Sequence, residues 1–299
     1  MAEYMEPIVG RVQGEQRQGH DTRKHLFTSI REKLGIPVMT YFTSMEHPVQ
    51  IDDNDADIIE ALLQKMALGN GIAIIISSKG GQGLAAERII KALRSYSGTG
   101  KFTAIIPNKA KSAATMVCFG AEKIMMSPTS ELGPVDPQWM TYDDDQIKVF
   151  SLFNLVKSYE SLFNGAVKAK GNLQPYLQQL QRYDARQIAE FRDAIDLSKD
   201  ISIRSLESGM MSGRTRKQIE KDISVFLTPQ TTKTHGRPIY ADEAQACKLE
   251  IDLMDVSSDL WKDIYELYVR SDVYTRAEAA KCVETEEFAF SQPVPRRES

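Results

Sequence analysis

Three short apolar runs, alternating with helical patterns, constrain this chain more than any other feature. Ile72-Ala-Ile-Ile-Ile76 and Phe102-Thr-Ala-Ile-Ile106 are continuous and rich in isoleucine, and Lys123-Ile-Met-Met126 is a shorter relative of them. A strand that is apolar on both faces must be covered on both sides, which a parallel sheet between helices achieves. Between the runs, Leu84–Tyr96 carries Ala85, Ile89, Leu93 and Tyr96 along one helical side, and Ser112–Gly120 reads as a small-residue helix. Upstream, Val38–Phe42 reads as a strand. The acidic stretch Asp52-Asp53-Asn54-Asp55 supplies N-cap chemistry for an amphipathic helix over 54–68, ended by Gly69-Asn70-Gly71. This order predicts an α/β fold with mostly parallel strands and crossover helices.

Helical pattern takes over further on, across Leu152–Lys168, Leu173–Met210, Arg216–Phe226, Ala241–Lys248 and Leu260–Val269. Extended chain returns at Gly236–Tyr240. We read residues 1–33 as a polar N-terminal segment, 34–256 as the folded domain, and 257–299 as a C-terminal helix with a Pro/Arg-rich disordered tail. A chain of 299 residues suffices for one large core. Its net charge of −4 argues against a nucleic-acid or anionic-membrane surface. No apolar run approaches the roughly 18 residues that span a bilayer, and Met1–Thr22 lacks the apolar centre of a secretory signal. Cys118, Cys247 and Cys282 are scattered without metal-ligand spacing, which predicts a reducing, cytoplasmic setting. The acidic run Asp143-Asp-Asp145 lacks a calcium-loop framework and reads as a solvated loop.

Chemistry is suggested at two strand ends. Ser77-Ser-Lys-Gly-Gly81 follows the first apolar run, and Lys109-Ala-Lys-Ser-Ala-Ala114 follows the second. Glycines at a strand end let a carbonyl approach backbone N–H groups, so Gly80 and Gly81 are candidate oxyanion donors; a tight turn is the plainer alternative. Ser112 is either a nucleophile or a simple helix N-cap. Small neighbours leave room for a substrate backbone, and the Ala113 N–H at the helix start suits a developing negative charge. Cys118, behind Ser112, reads as a core residue, and Ser77, Ser78, Ser127 and Ser130 are weaker nucleophile candidates.

These segments resemble the Clp-protease/crotonase superfamily, and most of all the serine dehydrogenase proteinase family, relatives of signal peptide peptidase A. Ser77-Ser-Lys-Gly-Gly81 is similar to a Ser-Pro-Gly-Gly turn of the superfamily, with Lys79 in place of proline. Lys111-Ser-Ala-Ala114 resembles its nucleophile segment. Leu132-Gly-Pro-Val-Asp-Pro-Gln138 and Thr234-His-Gly-Arg-Pro-Ile239, followed by Asp242-Glu-Ala-Gln-Ala246, resemble two later family elements. The resemblance implies a Clp/crotonase-like fold of stacked strands, a serine peptidase acting on peptide or protein substrates, no cofactor, and a homo-oligomer.

A serine hydroxyl needs a base. Clp-type peptidases carry a histidine soon after the serine, where this chain has Asp136-Pro137 and no histidine. Two candidates follow. His235 is the base with Asp136 orienting it, or Lys157 serves as in the Ser–Lys dyad of signal peptide peptidase A. The lysine requires an apolar site that favours its neutral form, with Phe153, Leu155, Val156 and Leu162 at hand. Two other functions remain open: crotonase-type acyl-CoA chemistry on the same backbone donors, and an inactive oligomeric scaffold of this fold.

Overall fold

The computed structural model describes residues 7–15, 19–143, 146–229 and 234–294. Its centre is a seven-stranded sheet of β1 (Val38–Thr43), β2 (Ala73–Ser77), β3 (Thr103–Ile106), β5 (Lys123–Met126), β9 (Ile251–Leu253), β10 (Ala279–Thr285) and β11 (Ala289–Pro293). The spatial order is β11-β10-β1-β2-β3-β5-β9. From β1 to β9 the neighbours are parallel; β10 joins β1, and β11 joins β10, antiparallel.

Alternation along the buried strands divides the core into two layers. Met39, Tyr41, Ile74, Ile76, Ala104, Ile106, Ile124 and Met126 enter one cluster with α3 (Asp53–Leu63), α4 (Gly83–Tyr96) and α5 (Ala113–Phe119). Val38, Phe42, Ala73, Ile75, Ile105 and Met125 enter the other, against α2 (Lys24–Leu34) and a long C-terminal helix, Asp259–Ala277. Burial of apolar area at about 25 cal/mol per Å² on both faces explains why these strands carry so few polar side chains. The α/β order expected from the sequence is present, and the arrangement matches a Clp/crotonase-like fold with a helical C-terminal region.

Several elements differ from the sequence reading. The N-terminal segment contains α1 (Ile8–Gly14) and the docked helix α2. Its Arg23 is buried and paired with Glu284 of β10 at 2.6 Å. The C-terminal region contributes β10, buried along its whole length, and not only a helix. β7 (Gln138–Asp143) and β8 (Gln146–Ser151) form an antiparallel two-stranded sheet; Asp144 and Asp145 of the acidic run lie outside the described residues. Beyond it comes α6 (Leu152–Lys168). The long helix expected over 173–210 is broken into α7 (Gln174–Leu180) and α8 (Ala185–Glu207). Asp184 causes the break, capping the second helix by accepting the Arg186 N–H at 2.8 Å.

The parallel strands deliver their loops to one end of the sheet, where α/β proteins place their sites. Beyond β2 and β3, a short parallel pair, β4 (Lys109–Ala110) and β6 (Glu131–Leu132), extends this end. Leu132 then exchanges both backbone hydrogen bonds with Ile239, which brings the late segment 234–239 beside the loop after β6.

Candidate active site

Ser112 sits at the junction of β4 and α5 with φ 51° and ψ −121°, a conformation costly for an L-residue, of order 1–3 kcal/mol. Both flanks hold it there. Ser78 accepts the Lys111 N–H and the Lys109 carbonyl accepts the Ser78 N–H, each at 3.0 Å. On the helix side, Ala114 donates to the Lys111 carbonyl at 2.9 Å and Met116 to the Ser112 carbonyl at 3.1 Å. The hydroxyl makes no capping bond and has no hydrogen-bond partner among the described residues. A plain N-cap would spend its oxygen on the helix. Ser112 is half-buried, whereas the helix behind it, Cys118 included, is buried throughout. Burial pushes the Cys118 thiol far up, so it is inert.

Gly80 and Gly81 adopt φ 100° and 156°. A Cβ on Gly80 would fall 2.5 Å from the Lys111 oxygen, 2.7 Å from the Ser112 Cβ and 2.9 Å from the Ala113 nitrogen. Only glycine fits, and the turn is therefore seated directly on the Ser112 segment. The two amides are not equivalent. Gly80 donates its N–H to Ser78 Oγ at 3.1 Å, and Ser78 is in turn bonded by Thr43 at 2.9 Å. Gly81 is braced through its neighbours: Ile51 donates to the Gly80 carbonyl at 2.8 Å and accepts from Gln82 at 2.9 Å. The N–H groups of Gly81 and Ala113 have no acceptor among the described residues.

The loop after β6 places Asp136 against His235, with Oδ1 and Nδ1 2.8 Å apart. The Asp136 side chain is 1% exposed and the imidazole 17%. Asp136 Oδ2 is buried without a partner among the described residues. Thr115 ties this loop to the Ser112 helix, donating to the carbonyls of Ala110 (2.7 Å) and Gly133 (3.0 Å). Lys111 adds a second tie, through Leu132 O at 2.9 Å and Glu131 at 2.7 Å. Burial holds the Lys111 ammonium below the ordinary lysine range, against the opposing pull of Glu131. Lys79 is likewise lowered, by burial and by nearby Lys109. The pairing of Ser78 with Ala110 brings Lys79 near Lys109, a proximity that sequence spacing does not reveal.

Lys157 lies elsewhere in character. It is exposed on α6, so no apolar enclosure surrounds it among the described residues. The remaining serines are engaged or buried: Ser130 donates to the Ile106 carbonyl at 2.6 Å and contacts Ser127 at 3.0 Å, while Ser77 is buried in β2. Among the described residues no group of His, Cys, Asp and Glu is arranged to hold a metal ion, and no helix is long and apolar enough to cross a membrane. A cavity of about 600 Å³ is lined by Phe27, Arg31, Met66 and Phe288 among others, and by none of the candidate residues.

Comparison with known proteins bears out the resemblance. Residues 15–154 match the family described as ClpP-like SDH-type serine proteinases. That segment contains Gly80, Gly81, Ser112 and Asp136; Lys157 and His235 lie beyond it. An uncharacterized protein of Methanocaldococcus jannaschii is 29% identical over 219 residues, 73% of this chain and 63% of the relative. A second uncharacterized protein of that organism is 34% identical over 105 residues, 35% of this chain and 32% of the relative. The chain thus spans less than two thirds of the length of either.

Proposed function

With that family match as premise, we propose that the chain is a serine peptidase whose nucleophile is Ser112 and whose base is His235. The observation that carries this reading is the strained, unbonded Ser112 seated against Gly80. Strain of this kind persists only where surrounding structure over-determines it, and it aims a side chain away from the helix it opens.

In the reaction, Ser112 Oγ attacks the scissile carbonyl carbon while His235 Nε2 takes its proton. Asp136, on Nδ1, holds the imidazole and stabilises the imidazolium that forms. The carbonyl oxygen becomes an oxyanion facing the Gly81 and Ala113 N–H groups. Gly80 supports the turn sterically, since its own N–H is committed to Ser78. Collapse breaks the C–N bond, and the imidazolium gives its proton to the departing amine. Water then attacks the Ser112 ester, with the same imidazole accepting and returning the proton.

Lys157 is the weaker base, because an exposed lysine lacks the desolvation that a neutral amine requires. Acyl-CoA enolate chemistry needs a carboxylate acid/base beside the backbone donors; Asp136, the carboxylate of this loop, is engaged by His235. The expected homo-oligomer has a natural seat on the β7–β8 sheet and α6, which expose Trp139, Met140, Val149, Phe150, Phe163 and Val167. Hydrolysis of an unfolded protein substrate, followed by peptide release, tests the function. We expect activity in the wild-type chain and none in Ser112→Ala; equal activity in both contradicts the assignment.

A further inference from the structure

We infer that a buried cluster of Tyr41, Asp55 and Lys281 acts as a positioning device for the Gly81 amide. This rests on the peptidase reading above and extends it to residues far from the nucleophile in sequence. The link runs through Ile51. A Cβ on Gly81 would lie 2.3 Å from the Ile51 oxygen and 2.4 Å from its nitrogen, so the glycine is pressed flat on that peptide. Ile51 also brackets Gly81 by bonding Gly80 and Gln82 on either side. Wherever the Ile51 peptide goes, the Gly81 N–H goes with it.

Ile51 leads directly into Asp52, and here the cluster takes hold. Asp55 Oδ2 accepts from the Asp52 N–H at 2.8 Å, from Tyr41 Oη at 2.7 Å and from Lys281 Nζ at 2.9 Å. Lys281 also donates to Asp52 Oδ2 at 3.0 Å. Tyr41 comes from β1 and Lys281 from β10, so two strands of the central sheet anchor the segment. All three side chains are buried, with Tyr41 1%, Asp55 0% and Lys281 2% exposed. A helix N-cap needs only the Asp52–Asp55 reciprocity to be satisfied. A buried lysine and a buried tyrosine on the same carboxylate exceed that need. Buried ionic groups of this kind cost desolvation and return geometric definition; here all three hydrogen bonds fall on Asp55 Oδ2, and Oδ1 is met by the Lys281 charge alone at 2.9 Å.

The test uses Tyr41→Phe and Lys281→Met, with Glu284→Gln as control. Glu284 is also a buried charge on β10, but it pairs with Arg23, and among the described residues no hydrogen bond or ion pair joins its side chain to the Ile51 segment. The first readout is the Gly81 backbone amide by NMR, as its resonance position in the intact chain. Both test variants are expected to shift that resonance, while Glu284→Gln leaves it in place. The second readout is the rate of Ser112 labelling by a fluorophosphonate. It is expected to fall about tenfold at unchanged half-saturation, as a misplaced donor affects the step and not the binding. If Lys281→Met does not fold, Tyr41→Phe carries the comparison. A Gly81 amide unmoved in a folded test variant, or moved equally by Glu284→Gln, overturns the inference. Unlabelled wild-type protein overturns the peptidase reading instead, and the Gly81 resonance still decides the positioning claim.

Discussion

Gly80 lies so close to Ser112 that a methyl group on its Cα would fall 2.7 Å from the serine Cβ. The two residues are far apart in sequence, and they are brought together by the pairing of Ser78, just beyond β2, with Ala110 of β4. This contact aligns a glycine turn, a strained serine and two uncommitted amides in one place.

Gly80→Ala breaks that alignment in two ways. The residue must leave φ 100°, and its Cβ must displace the Lys111–Ala113 backbone. We expect the fold to persist with a lowered Tm, and Ser112 labelling to slow by about 100-fold, the scale of an ångström-sized misplacement. Labelling kinetics beside circular dichroism check this.

The base is separable by substitution. His235→Ala should lower the rate of Ser112 acylation by about 100-fold to 10,000-fold, the range of general-base contributions. Asp136→Asn should produce a large part of that loss, because Asp136 sets the imidazole tautomer through its 2.8 Å contact. Lys157→Ala should leave the rate within about twofold, as expected of an exposed side chain outside the site. Pre-steady-state kinetics on an ester substrate distinguish these outcomes.

Much of this was legible from the chain. The strands β2 and β3 announce themselves because both of their faces are apolar, and Asp52 caps α3 as its composition promises. The pairing of Asp136 with His235 was accessible only as a hypothesis, since it depends on Leu132 meeting Ile239 across a long stretch of chain. β10 was invisible for a physical reason. Its Lys281 and Glu284 interrupt the apolar pattern, yet both are buried, neutralised by Asp52 and Asp55 and by Arg23 respectively. Local polarity cannot reveal a charge whose partner comes from the other end of the protein. The strain at Ser112 had no sequence signal at all.

The exposed apolar arm predicts self-association. Met140→Asp combined with Val167→Glu places charges on two of its most exposed apolar positions. Sedimentation velocity should show an oligomer for the wild-type chain and a smaller species for the double variant, with unchanged far-UV circular dichroism. A monomeric wild-type chain contradicts this.

Acid should weaken the attachment of the N-terminal segment. Burial opposes the Glu284 charge, but the hydrogen bonds from Arg23 and the nearby His20 imidazole, 3.3 Å away, outweigh it and hold the carboxyl below its ordinary value of 4.5. The stabilisation is therefore complete above the unfolded-state value and is lost as pH falls through the lower folded-state value. Glu284→Gln removes one half of the buried Arg23–Glu284 pair and should cost about 3 kcal/mol near neutrality. Its stability should also change less than that of the wild type below pH 4.5. Urea denaturation across pH measures both effects.

The most direct test of the central claim is mass-spectrometric mapping of the adduct formed with a fluorophosphonate. The account predicts a single phosphonylated residue, Ser112, with labelling abolished in Ser112→Ala and strongly slowed in His235→Ala. Modification of another serine, or labelling that persists in Ser112→Ala, contradicts it.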